Sequence, residues 1–329
     1  MAAPAMGARA SNTYYATGTT PTPTNVREDL ADIIYRIDPD ETPIVSALDR
    51  VGAEQILTEW LVQELAAADK NAQPEGFEFV ASVATAPARL SNVCQILART
   101  VSVSNTLRAA NTVGSEDEFN RQRLLRGMEV KRDLEVSVGG TQAKKLTDPR
   151  EMASLALYCT NGSVGATGVL PPGDGTAGTF APGTNRALTL VMIADAMEQA
   201  YTKGGQPTLA VMRPNLKRAV SALGVGGAAG AAQNVYQTTT PDPVTIVGAV
   251  DVYRTDFGPV EMAPDRFMAA NLMLLIDVDY SEMAPLPGRD MITETYAKTG
   301  DAQKGGVVYE GTCRATAPKA HAAIFSLTP

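Results

Sequence analysis

The chain has 329 residues, 44% hydrophobic, 5% aromatic and 19% charged, and 28 Lys+Arg against 36 Asp+Glu leave a net charge of −8. That length can bury a sizeable core and suits two domains or one domain with excursions. An acidic balance without a basic cluster argues against specific nucleic-acid reading, and three widely spaced cysteines, Cys94, Cys159 and Cys313, argue against a disulfide framework and for reduced thiols.

Residues 1–25 are Ala, Thr, Gly and Pro without periodicity, ending in "TGTTPTPTN", which predicts an extended or disordered arm. A short helix is expected in "VREDLADIIYRI", where Leu30, Ile33, Ile34 and Ile37 share one face before Pro39 and Pro43. From Thr58 to Val103 the sequence reads as a long two-stranded ribbon. Leu61-Val62 lead out, the alternating Val101-Ser102-Val103-Ser104 lead back, and a polar stretch around Asp69-Lys70-Asn71 forms the tip. An isolated ribbon is marginal in water, so this one needs something to rest on.

Ser115-Glu116-Asp117-Glu118 has the spacing of a capping box. It predicts Ser115 as the cap of a long helix over about 116–145, with a thin apolar stripe of Leu124, Met128, Leu134 and Val138 among charges. Such a helix is expected to lie across a sheet. Residues 159–186 turn loop-like and mark a domain crossing. A helix with Leu190, Ile193, Ala194, Met197, Ala200 and Tyr201 on one face follows, stopped by Gly204-Gly205, then "TLAVM" as a strand. Pro214 opens a further helix through Leu216, Ala219, Val220 and Leu223. "GVGGAAGAAQNVYQTTTPDP" reads as a loop, and "VTIVGAVDVYRTDFGPVEMAP", "LMLLIDVDYSEM" and "GGVVYEGTCRATAPKAHAAIFSL" read as β. The fold class is α+β with mostly antiparallel strands.

The chemistry is sparse. "GVGGAA" fits a dinucleotide fingerprint, but a helix precedes it and a Thr-rich loop follows, the reverse of what the fingerprint needs. "DFG" at 256–258 has no partner catalytic loop and reads as a turn between strands. His321 is the sole histidine, there is no G-x-S-x-G elbow and no C-x-x-C, so a hydrolytic triad and paired-histidine zinc sites have no residues to build on. Asp277, Asp279 and Glu282 read as an exposed strand face rather than metal ligands. No catalytic residue, cofactor or metal is expected. The opening lacks a secretory apolar core, and "MAANLMLLI" at 268–276 is shorter than the roughly 18 residues of a membrane span. The expectation is a chain made in a cytosol that touches no membrane.

What remains is shape. The arm, the ribbon and the thin-striped helix each leave surface that contacts with copies of the same chain would satisfy. Residues 26–329, through "IIYRIDPDETPIVSAL", "VKRDLE", "DVYRTDFGPVEMAPDRF", "AKTGDAQK" and "KAHAAI" in that order, resemble the major capsid proteins of tailed bacteriophages, in the subfamily without an obvious scaffolding segment. The resemblance implies the HK-ninety-seven-like capsid fold: an N-terminal arm at 1–53, an extended loop at 54–100, a peripheral domain with the spine helix at 101–158, an axial domain at 159–265, and C-terminal strands at 266–329 returning to the peripheral domain. It implies assembly into pentamers and hexamers that close an icosahedral shell around double-stranded DNA held only non-specifically, with portal and decoration proteins as further partners. Trp60, Lys70, Phe77, Phe79 and Arg89 are the candidate contacts between subunits. Lys70 is the only lysine between 54 and 130. It reads as a solvated tip lysine rather than one half of an isopeptide bond, because bare lysine and asparagine side chains do not react without a positioned acid-base group. A nanocompartment shell of the same fold and an α+β hydrolase are the alternatives.

Overall fold

The computed structural model describes residues 36–79, 85–110, 117–225, 250–298 and 300–328. In chain order these form α1 (Pro43–Ala47), β1 (Asp49–Arg50), β2 (Leu57–Val62), β3 (Ala88–Val93), β4 (Gln95–Ser104), α2 (Asn105–Ala109) and α3 (Glu118–Val138). There follow β5 (Asn161–Ser163), α4 (Leu190–Thr202), β6 (Leu209–Met212), α5 (Pro214–Val225), β7 (Val252–Thr255) and β8 (Gly258–Pro264). The C-terminal part adds β9 (Met273–Ile276), β10 (Ser281–Pro285), β11 (Ile292–Thr295), β12 (Ala302–Ala315) and β13 (Ala322–Ile324).

The 14-residue β12 organises the first sheet. One edge pairs antiparallel with β4 from Ala302↔Ser104 to Gly311↔Gln95, and the other pairs first with β11 and then with β10, which carries β1 beyond it. The spine helix α3 lies on β4 and β12. Its Phe119 packs with Val101 and Val103, and the side-chain-free Gly305 lets the ring sit directly on β12. Further along, Val130, Leu134 and Val138 enter the main core with Ile44, Tyr158, Tyr309 and Phe325.

The second sheet runs β5-β13-β9-β6-β8-β7. Its central strands, LAVM and MLLI, are buried on both faces, which explains their unbroken apolar character. Alternate residues serve different cores. Leu209, Val211, Leu274 and Ile276 face the main core, while Ala210, Met212, Met273 and Leu275 face a second one under α4 and α5 with Ile193, Met197, Leu216 and Val220. The two cores therefore take alternate side chains from the same strands, and Ile193, Met197, Leu216 and Val220 of α4 and α5 are consumed within the chain, while Tyr201 at the end of α4 stays half exposed.

Several expectations need correction. Val101-Ser102-Val103-Ser104 does not return along Leu61-Val62: β2 pairs with β3, Leu61 standing opposite Arg89, and Val101 to Ser104 belong to the sheet of β12. The alternation identified a strand correctly but could not name its partner. The cap of α3 is Asp117, whose Oδ1 accepts from Phe119 N at 3.0 Å, and Ser115 lies outside the described residues. Glu118 does not reach back to the cap, because Arg121 and Gln122 take its carboxylate. The helix stops at Val138, where Gly139-Gly140 follow, not near 145. Its stripe is split, with Leu134 and Val138 buried but Leu124 67% exposed. The loop-like 159–186 is closely packed, with Gly162 at φ +118° where a Cβ would stand 1.9 Å from the Ala323 carbonyl oxygen. The expected arm at 1–25, the expected helix as far as residue 35 and the "GVGGAAGAAQNVYQTTT" loop from residue 226 onward fall outside the described residues, and Arg36 and Ile37 at the end of that helix are not helical, Ile37 being 99% exposed rather than on a buried face.

Candidate assembly interface

The ribbon is fixed at its root. Asn92, fully buried in β3, uses its whole amide. Nδ2 donates to the carbonyls of Cys313 (2.7 Å) and Ala153 (3.2 Å), and Oδ1 accepts from Ala153 N (2.8 Å) and Val93 N (2.9 Å). Beside it, Tyr158 donates its hydroxyl to Ser91 O at 2.9 Å, and Lys144 Nζ reaches the same carbonyl and that of Asp174. Trp60 tilts over the Tyr158 ring with centroids 5.7 Å apart. Where the loop departs, Glu64 pairs with Lys319. A cleft of about 430 Å³ opens there between Val62–Leu65, the end of α4 at Thr202–Gly205, and Ala317–Ala320.

Beyond Val62 the packing stops, leaving only exposed polar contacts such as Gln63 Nε2 to Thr85 O and the Glu64–Lys319 pair. Residues 63–79 form no strand or helix and are exposed throughout, with Leu65 98% and Phe79 94% accessible. Phe77 and Phe79 meet edge to face at 5.0 Å, so the two rings cover each other rather than any core. Glu64, Asp69, Glu75 and Glu78 outnumber the single Lys70, which makes the loop acidic as well as apolar.

The five candidate contact residues therefore separate. Lys70, Phe77 and Phe79 lie together on the exposed loop. Trp60 is half-buried against its own chain, and its indole N–H has no acceptor among the described residues. Arg89 stands on β3 with Glu59 at 3.5 Å, an exposed pair of adjacent strands. Asn92 carries more of the geometry than any of them. Its one sequence signal was a polar residue at an inward strand position.

Among the described residues no group of His, Cys, Asp and Glu is placed to hold a metal ion. His321 is buried, accepts from Asp277 N at Nδ1 (3.2 Å), and lies 3.4 Å from Ser281 Oγ at Nε2. Burial pushes its pKa down to about 4, so it is a neutral, packed imidazole. Glu310, also buried, is held between Arg150 and Arg289, a structural ion pair network rather than a free acid. All three cysteines are buried and unbridged. No helix among the described residues is long and apolar enough to cross a membrane.

A spine helix laid across a sheet, a second sheet between two cores, and a ribbon whose loop is spare of packing define the HK-ninety-seven-like capsid fold. The asymmetric unit of the cyanophage A-1(L) capsid matches it with a TM-score of 0.63 over 93% of this chain and 99% of that one, at 14% identity. A Microbacterium phage Oxtober96 chain matches with a TM-score of 0.60, also at 14% identity, over 92% and 96%. In sequence, the SU10 major capsid protein family matches residues 11–328, and the chain belongs to that family of tailed-phage major capsid proteins. It is 27% identical over 221 residues to the major capsid protein of Escherichia phage Phieco32, a match covering 56% of this chain and 62% of that protein, less than two thirds of the relative's length.

Proposed function

We propose that this chain builds the shell of a phage virion by associating with copies of itself as pentamers and hexamers. The shell encloses double-stranded DNA without reading it and is assembled in the host cytoplasm with a portal and, where present, a decoration protein. The observation that carries the reading is the loop at 63–79, which offers Leu65, Phe77 and Phe79 to solvent on a root anchored by Asn92. Apolar surface of that kind on a tethered loop marks a protein contact, and the loop rests on a neighbouring copy. The net charge of −8 fits a shell that packages DNA and releases it. On this reading the chain divides into an arm at 1–53, an extended loop at 54–100, a peripheral domain at 101–158 with the strands at 266–329, and an axial domain at 159–265.

The test replaces Ala66 to Pro87 by a short Gly-containing turn that still joins β2 to β3. The subunit is expected to keep its circular dichroism, because loop shortening changes closure entropy only slightly. Shell formation by sedimentation and electron microscopy is expected to fail, because a small loss repeats at every subunit boundary. Normal shells, or an unfolded subunit, would defeat the proposal.

A further inference from the structure

The end of α4 is closed by backbone bonds and pressed onto the turn before β13. Gly204 N donates to Tyr201 O and Gly205 N to Ala200 O, both at 2.9 Å. A Cβ on Gly205 would stand 2.3 Å from Ala320 Cα, so the approach needs a glycine. The result is a fixed wall of backbone and small side chains, Gly204, Ala317 and Pro318 among them, across the cleft of about 430 Å³ from Val62 to Leu65. Two ammonium groups flank it. Lys319 is paired with Glu64, the one carboxylate of the cleft. Lys203 donates to Asn161 Oδ1 and has no carboxylate partner among the described residues. The cleft is preformed and carries one uncompensated positive charge.

The loop carries the complement. In Glu75-Gly76-Phe77-Glu78-Phe79 two rings stand among two carboxylates, and neither carboxylate has an ion-pair partner among the described residues. Phe79 is 94% exposed, so its own subunit does not receive it. At about 3.3 Å per residue, Phe79 can stand roughly 30 Å from Ala88, where β3 begins. A chain of this length has a radius of gyration of about 20 Å, so the rings can reach past their own subunit. We propose that Glu75 to Phe79 of one copy seats in this cleft of the next. Phe77 and Phe79 lie against the wall of Gly204, Ala317 and Pro318, and Glu75 or Glu78 pairs with Lys203. The opposite wall is where the receiving copy's own loop departs, so each copy gives its loop and takes another at its root. Such a contact joins two different patches, and a contact of that kind repeats around a ring until it closes. The inference rests on the reading of this chain as a shell subunit and adds the surface that receives the loop.

Particles assembled from an equal mixture of ordinary and heavy-nitrogen-labelled full-length wild-type subunits test it. A zero-length carbodiimide coupling joins amines to carboxylates already in contact, and peptide mass spectrometry reads the products. An amide between Lys203 and Glu75 or Glu78 is expected, with mixed-isotope pairs as common as same-isotope ones. Same-isotope pairs alone would return the loop to its own cleft. Particles without that amide would place its seat elsewhere. Either result overturns the inference and leaves the shell reading standing, whereas a subunit that forms no particles defeats that reading and the inference with it. The second arm fills the cleft. Thr202→Trp lies at the exposed end of α4, so the subunit is expected to keep its urea midpoint while the Lys203 cross-link and shell formation in sedimentation are lost. Normal shells from that variant overturn the inference as well.

Discussion

The root of the ribbon commits a fully buried asparagine and a half-buried tryptophan to its own subunit, while Leu65 and Phe79, on the loop that this root supports, touch almost nothing of it. The root is polar and dry, and every atom of the Asn92 amide has a partner. The loop is wet, and it carries Leu65, Phe77 and Phe79 among acidic and polar residues. On the proposed reading, subunit stability and subunit association fall on different residues of one hairpin, so that each can be changed without the other.

Replacing the loop, as described above, has the largest expected effect on assembly and the smallest on folding. The converse change is Asn92→Ala. It takes the Asn92 acceptor from two buried amides, a loss of about 1–3 kcal/mol each, while the Ala153 and Cys313 carbonyls keep Cys313 Sγ and Thr312 Oγ1 as donors, and is expected to lower subunit stability by about 4 kcal/mol in urea titrations. A loss under about 1 kcal/mol would show that the root is not what holds the ribbon.

A second buried polar knot, at His321, separates core from loop by pH. Its folded pKa lies near 4, below the unfolded 6.5, so the unfolded chain binds the extra proton between those values. Stability contributed by the neutral ring is complete above pH 6.5 and falls as pH drops toward 4, by about 3 kcal/mol in all. Glu135, buried with its carboxyl oxygens on the Ile44 and Val45 amides, is raised by that burial to about 7 and runs the opposite way between 4.5 and 7, so the comparison is with His321→Gln. Relative to that variant, wild type is expected to lose stability on acidification. A constant difference across pH 4–7 would show that His321 does not titrate as its burial demands.

The smallest effect is expected at Arg89. Its pairing with Glu59 is exposed, and Arg89→Ala is expected to change subunit stability by no more than about 0.5 kcal/mol. Any larger assembly defect in that variant, read by sedimentation, would place Arg89 with the tip rather than the root.

Much of the fold was legible where a strong pattern met a local signal. The amphipathic face through Ile193 and Met197, Pro214 at a helix start, and the runs that became β6, β8, β9 and β12 all declare themselves within a few residues. Pairing did not, because the alternation at Val101 to Ser104 serves any neighbouring strand equally well. Ser115 and Asp117 are both good caps, and spacing alone favoured the wrong one. The exposed part of the interface was readable as polar, Gly- and Pro-containing chain with too few partners. Its anchor was not. Asn92 and Glu135 look like surface residues in "LSNV" and "RDLE", and only partners sixty to ninety residues distant make them core.

The three cysteines carry a practical consequence. Burial pushes Cys159 and Cys313 up to about 12 and raises Cys94 as well, so almost no thiolate exists to react in the folded subunit at neutral pH. Alkylation is therefore silent until the core opens. Cys94 sits in a small cluster beside the ribbon root, and the other two lie in the main core. The order in which the three thiols take up label, followed by mass spectrometry under slow denaturation, records which part of the subunit comes apart first.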